Sequence, residues 1–162
     1  MTFHDLPENL RQTPLDTPAL RADAVDLFLD LRDRADDSLL IGFCDEAHRL
    51  IAPVVIAGVE WRDEAARRRS FLARLAEAGV SNGAAGVVVG LSSFRLITPP
   101  LAELWRREAA AAFGAEGIEL LGLCVAGRHR VVEVEASSPS ALATAEPVEV
   151  VAAAARIAAA AA

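Results

Sequence analysis

Four side chains lie close enough along the chain to do chemistry together. Ser92 and Ser93 offer hydroxyl groups, Arg95 a guanidinium and Glu103 a carboxylate. They sit on or just after Gly90-Leu91-Ser92-Ser93-Phe94-Arg95-Leu96-Ile97-Thr98-Pro99-Pro100, which reads as the end of a strand, a short loop and a helix opening. In α/β domains that junction is where ligands commonly bind. A helix start with an arginine beside it suits an anion. A nucleophilic serine would also need a base within reach. The three histidines are His4, His48 and His129, in an N-terminal segment and two expected hairpin turns. No Gly-x-Ser-x-Gly elbow is present, so Ser92 and Ser93 read as loop or cap residues, and no catalytic residue is assigned.

Other chemistries find less. A phosphate-binding loop needs closely spaced glycines opening onto a helix, usually with a lysine, and all sixteen basic residues here are arginine. Gly79, Gly83, Gly86 and Gly90 stand in the wrong context for one. A metal site needs several His, Cys, Asp or Glu side chains to converge, and Glu103 has no neighbour to join it. Cys44 and Cys124 lie in apolar runs and read as free buried thiols. Asp23, Asp26, Asp30 and Asp33 read as the solvated face of a helix. Arg67, Arg68 and Arg69 span about 200° of a helix, so they cannot share one ligand and read as a salt-bridged outer face.

The elements that would hold these residues can be laid out in order. Residues 1–17 form an expected extended arm, with Pro7 and Pro14. Thr17-Pro18 opens a helix expected to run to Ala35, with Leu20, Ala24, Leu27, Phe28 and Leu31 as its buried stripe. Ser38 to Cys44 is an unbroken apolar run, as in a strand covered on both faces. Leu50 to Val59 returns from a polar turn as the second arm of a hairpin, with Pro53 at an edge or bulge. Trp61 to Ala78 is a helix, closed by Gly79 and Ser81-Asn82-Gly83. Val87 to Val89 is a strand, and Thr98-Pro99 opens a third helix that Gly114 is placed to end. Ile118 to Val125 is a strand that leads through Gly127-Arg128-His129 into a last strand exposed on one side, in which Val132 and Val134 alternate with Glu133 and Glu135. Residues 18–136 make one domain, and 137–162 a linker followed by an alanine-rich tail with helical propensity.

Composition bounds the partners. The chain has 162 residues and a formal charge of −7. Residues 1–46 hold eleven acids and four arginines, whereas 47–162 are balanced at twelve of each. A general nucleic-acid binder would show a basic surplus, so that role is not expected. No apolar run is long enough for a membrane helix, and no secretory leader is recognised, which places the protein in the cytoplasm by expectation.

Three stretches resemble the JAB/MPN metalloprotease-like family, in its bacterial RadC-type branch. Leu39 to Val59, with Asp45-Glu46-Ala47-His48-Arg49-Leu50-Ile51-Ala52 in its middle, is similar to that family's strand, Asp-x-x-x-Arg-Leu turn and returning strand. Ala84 to Leu104 resembles its strand, signature loop and proline-rich helix opening, and Glu119 to Glu135 its closing hairpin. The resemblance covers about residues 20–136. It implies an α/β fold, a mixed sheet flanked by helices with cytidine-deaminase-like layering.

The family's metal signature is His-x-His-Pro-Ser-Gly, an Asp some eight residues on, and a Glu upstream. The two His positions fall on Leu91 and Ser93, and the Pro, Ser and Gly on Phe94, Arg95 and Leu96. The Asp falls on or beside Glu103, and the upstream Glu near Ala57. At most one of four functional positions keeps a capable side chain. The resemblance therefore implies a member without metal or cofactor, hence without a metal-activated water. It implies a non-catalytic interaction or ligand-binding module. The leading expectation is one that works through a protein partner or as a homodimer, with the 91–98 loop and the alanine-rich tail as candidate contact surfaces, since exposed apolar area is costly. The rival expectation is a protein or enzyme that holds a small anion with Ser92, Ser93, Arg95 and Glu103.

Overall fold

A computed structural model describes residues 9–136. The chain runs α1 (Pro18–Phe28), α2 (Leu31–Ala35), β1 (Leu39–Cys44), β2 (Leu50–Ile56), α3 (Ala65–Ser81), β3 (Gly86–Ser92), α4 (Pro99–Ala115), β4 (Glu119–Ala126) and β5 (Val131–Glu133). The strands form one mixed sheet in the order β2-β1-β3-β4-β5. Only β3 and β4 are parallel, and α4 makes the crossover between them. The expected α/β architecture, a mixed sheet flanked by helices, is what the chain adopts.

Alternation along the strands sorts the core into two layers. Leu39, Ile41 and Phe43 of β1 join Val87, Val89 and Leu91 of β3 in the layer with α3 and α4. Leu40 and Cys44 face the other way, with Val88, Cys124 and the apolar side of α1. The inner strands β1 and β3 are buried at every position, which is why they read as unbroken apolar runs. Pro53 lies on the edge strand β2, opposite Gly42, where a missing N–H breaks no ladder.

Five expectations are corrected. The helix expected over 18–35 is two helices. Leu29 turns inward, fully buried, and Asp30 starts α2 with a capping box: its carboxylate accepts from the backbone of Arg32 and Asp33, and Asp33 reciprocates. Leu31, no longer on the α1 stripe, is 61% exposed. Second, α3 starts at Ala65 rather than Trp61 and continues past Gly79, which is buried against Ile118 and Phe43. Third, α4 runs through Gly114, and the reversal comes at Gly117, whose φ is +74°. Fourth, residues 9–16 do not stand off as an arm. Leu15 is fully buried, its N–H donates to the His48 carbonyl, and its own carbonyl accepts from Arg21. Fifth, Glu133 is not solvated: Arg21 of α1 grips it through two bonds of 2.8 Å. The alanine-rich tail lies outside the described residues.

Candidate functional site

The loop after β3 is fixed by its serines. Ser92 is the last residue of β3 and is fully buried. Its hydroxyl donates to the Ser38 carbonyl at 2.7 Å, and its N–H donates to the same oxygen. It closes the gap between the start of β1 and the end of β3. Ser93, 3% exposed, donates its hydroxyl to the Asp37 carboxylate and accepts the Arg95 N–H at 3.0 Å. Its own N–H reaches the Ala126 carbonyl, so β3 and β4 stay zipped to their ends. Both hydroxyls are thus committed to backbone geometry.

The four sequence-derived site residues do not meet in one place. Ser93 and Arg95 share the wall of a small hollow of about 130 Å³, opposite Asp37, Glu60 and Arg62. Ser92 is inside the protein, and Glu103 lies on α4 away from the hollow. The Glu103 carboxylate takes two bonds from Arg106, at 2.7 and 2.8 Å, and these hold its pKa below the ordinary carboxylate range. The Arg95 guanidinium is exposed and has no ion pair among the described residues.

The remaining candidates are dispersed. His48, at a φ of +60°, has its Nδ1 2.6 Å from Asp16 and holds the β1–β2 turn against the N-terminal segment. His129 is exposed on the β4–β5 turn, and His4 lies outside the described residues. Cys44 and Cys124 are buried and unpaired, as expected, and burial pushes each thiol up to about 12. Of the positions aligned to the family's metal ligands, Leu91 is fully buried in the core and Ala57 is exposed. No group of three or more His, Cys, Asp and Glu side chains converges among the described residues.

The sequence reading missed a second hollow and its charged wall. It measures about 290 Å³ and lies between the chain after β2 and helix α3, with Trp105 of α4 at its base. Arg68, read as solvated, is 6% exposed there. It pairs through two nitrogens with Glu108, donates to the Asp63 carbonyl at 2.9 Å, and lies 5.9 Å from the Trp105 ring centre. The bonds from Arg68 hold the Glu108 carboxyl below its usual range. The signal was present in the spacing. Arg68 precedes Leu72, Ala76 and Gly79 by helical steps, and those are the buried residues of α3.

Fold and site together define an α/β protein whose loop after β3 is locked by internal bonds and carries apolar side chains outward. Phe94 is 44% exposed and Leu96 81%. Its sequence matches no protein-family model and no curated protein. Among the described residues no helix is long and apolar enough to cross a membrane.

Proposed function

We propose that this chain is a non-catalytic, JAB/MPN-like interaction module that works in the cytoplasm and joins a second copy of itself through the loop after β3. The observation that carries the reading is the outward display of Phe94 and Leu96 where a catalytic loop would present polar groups. The Arg128 guanidinium lies 5.0 Å from the Phe94 ring centre and favours the outward position by about 0.5–1 kcal/mol, as an exposed cation–π contact does. A pre-positioned aromatic beside an exposed leucine resembles the apolar centre of a contact surface. The internal commitment of Ser92, Ser93 and Glu103 supports the non-catalytic half of the reading.

Light scattering of purified protein over a concentration series tests it. The expected result is a concentration-dependent dimer that Leu96→Asp returns to monomer with the fold intact by circular dichroism. A protein that stays monomeric throughout, or a dimer indifferent to Leu96→Asp, would overturn self-association through this loop. Titrating the same sample with zinc should leave Tm unchanged, because a bound ion would raise it by mass action. A clear rise would return the chain to the metal hydrolases.

A further inference from the structure

The 290 Å³ cleft beside α3 carries a chemistry of its own, next to the hollow at the loop after β3, with which it shares Val59 and Glu60. Its base is apolar and rigid. Trp105 is 1% exposed yet borders the cleft, and its indole N–H donates to the Trp61 carbonyl at 3.0 Å. Ile56, Val59 and Phe71 complete the apolar wall. Arg68 brings no free charge, because Glu108 neutralises it through two bonds. Two further charged side chains stand exposed at its rim. Arg67 is 76% exposed at its side chain and only loosely approached by Asp63, at 3.8 Å. Glu60 has no side-chain partner among the described residues.

We infer that this cleft binds a small zwitterion with an apolar body, of which an apolar α-amino acid is the simplest member. Its carboxylate meets Arg67, its ammonium meets Glu60 and Asp63, and its side chain lies against Phe71 and Trp105. The mixed charge of the rim suits a ligand that carries both signs. A lone anion would face the carboxylates of Glu60 and Asp63, and the chain's formal charge of −7 would oppose its approach further. A lone cation would match Glu60 and Asp63 but leave Arg67 unused, which the phenethylamine arm below tests. A neutral apolar molecule would use neither of the exposed rim charges. Size agrees, since ligand pockets for larger molecules run from roughly 300 to 1,000 Å³ and this one falls at the lower bound.

The chain supplies its own reporter. It has two tryptophans, Trp61 and Trp105, packed edge to face at 5.2 Å between ring centres. Tryptophan fluorescence is followed while phenylalanine or leucine is added, with 3-phenylpropionate and phenethylamine as analogues that each lack one charge. A saturable change with at least one amino acid is expected. Each single-charge analogue should bind roughly tenfold or more weakly, as loss of a charge-assisted bond predicts. Arg67→Ala and Glu60→Gln should weaken the amino acid similarly, and both positions are exposed enough to leave the fold intact. No saturable change with either amino acid would overturn the inference. So would equal affinity for the three aromatic ligands, or a response that neither substitution alters. Failure here leaves the dimer test untouched, and failure there leaves this one untouched.

Discussion

At the scale of single residues, Arg68 shows how much can hang on one buried charge. It stands on the inner stripe of α3 with Leu72 and Ala76, so the helix carries its guanidinium under the protein surface. Burial alone would be costly, and the two bonds that Arg68 donates to Glu108, with a third to the Asp63 carbonyl, offset it. Removing one partner leaves the other buried and unpaired. Arg68→Ala should therefore lower stability by about 3 kcal/mol, the lower end for a broken buried pair, read as a fall in urea midpoint. The same pair sets a pH dependence. Hydrogen bonds from Arg68 depress the Glu108 pKa below its unfolded value, against the opposing effect of burial. The stabilisation is thus fully present above the unfolded carboxyl pKa of about 4.3 and is lost as pH falls through the lower folded value. Wild type and Glu108→Gln should differ clearly in urea midpoint at pH 7 and converge in acid below the folded pKa. A constant gap down to about pH 2, below the usual carboxylate range, would show that the carboxylate charge contributes nothing.

At the scale of elements, two glycines respond to an added methyl in opposite ways. Gly90, in the middle of β3, lies where α1 presses on the sheet. A Cβ there would come within 2.9 Å of Val25, 3.1 Å of Leu29 and 3.2 Å of the Leu40 Cβ. The leucine tip can move but the Leu40 Cβ is part of a buried strand, so Gly90→Ala should destabilise by about 1–3 kcal/mol through overpacking. Gly114 sits in the last turns of α4, where an added methyl would meet nothing within 4 Å and φ is not positive. Gly114→Ala should stabilise by up to about 1 kcal/mol, since only helix propensity changes. Paired urea titrations of the two variants check both signs. The sequence showed Gly114 as a helix terminator because a glycine after an apolar stripe commonly is one. The backbone instead reverses at Gly117, three residues on, where β4 must begin in register with β3. The split between α1 and α2 was hidden for a related reason. Asp30 and Asp33 are spaced as a capping box, yet the same spacing also fits an acidic outer face. Only the inward turn of Leu29 decides between them.

At the scale of the whole molecule, what could be read in advance was whatever depends on neighbours along the chain. The strands of the sheet, the edge position of Pro53 and the proline-opened helices follow from local pattern. The cleft does not, because it needs Arg68 to meet Glu108 across forty residues and the chain after β2 to lie over Trp105. The same division separates the two core layers, which meet only through the sheet. Each layer has a natural reporter. Trp61 and Trp105 lie in the layer with α3 and α4, and Cys44 and Cys124 in the layer with α1. Both thiols are fully buried, and desolvation pushes each up to about 12, so about one in ten thousand is ionised at pH 8. Reaction with an aromatic disulfide reagent thus requires the α1 layer to open. Strands β1, β3 and β4 each supply buried residues to both layers, and Arg21 clamps α1 to β5 through Glu133. We therefore expect one cooperative unit, with both cysteines silent in native protein and their labelling midpoint in urea matching that of tryptophan fluorescence. Labelling at clearly lower urea than the fluorescence change would show that α1 lifts from the sheet while the α3–α4 layer stays folded.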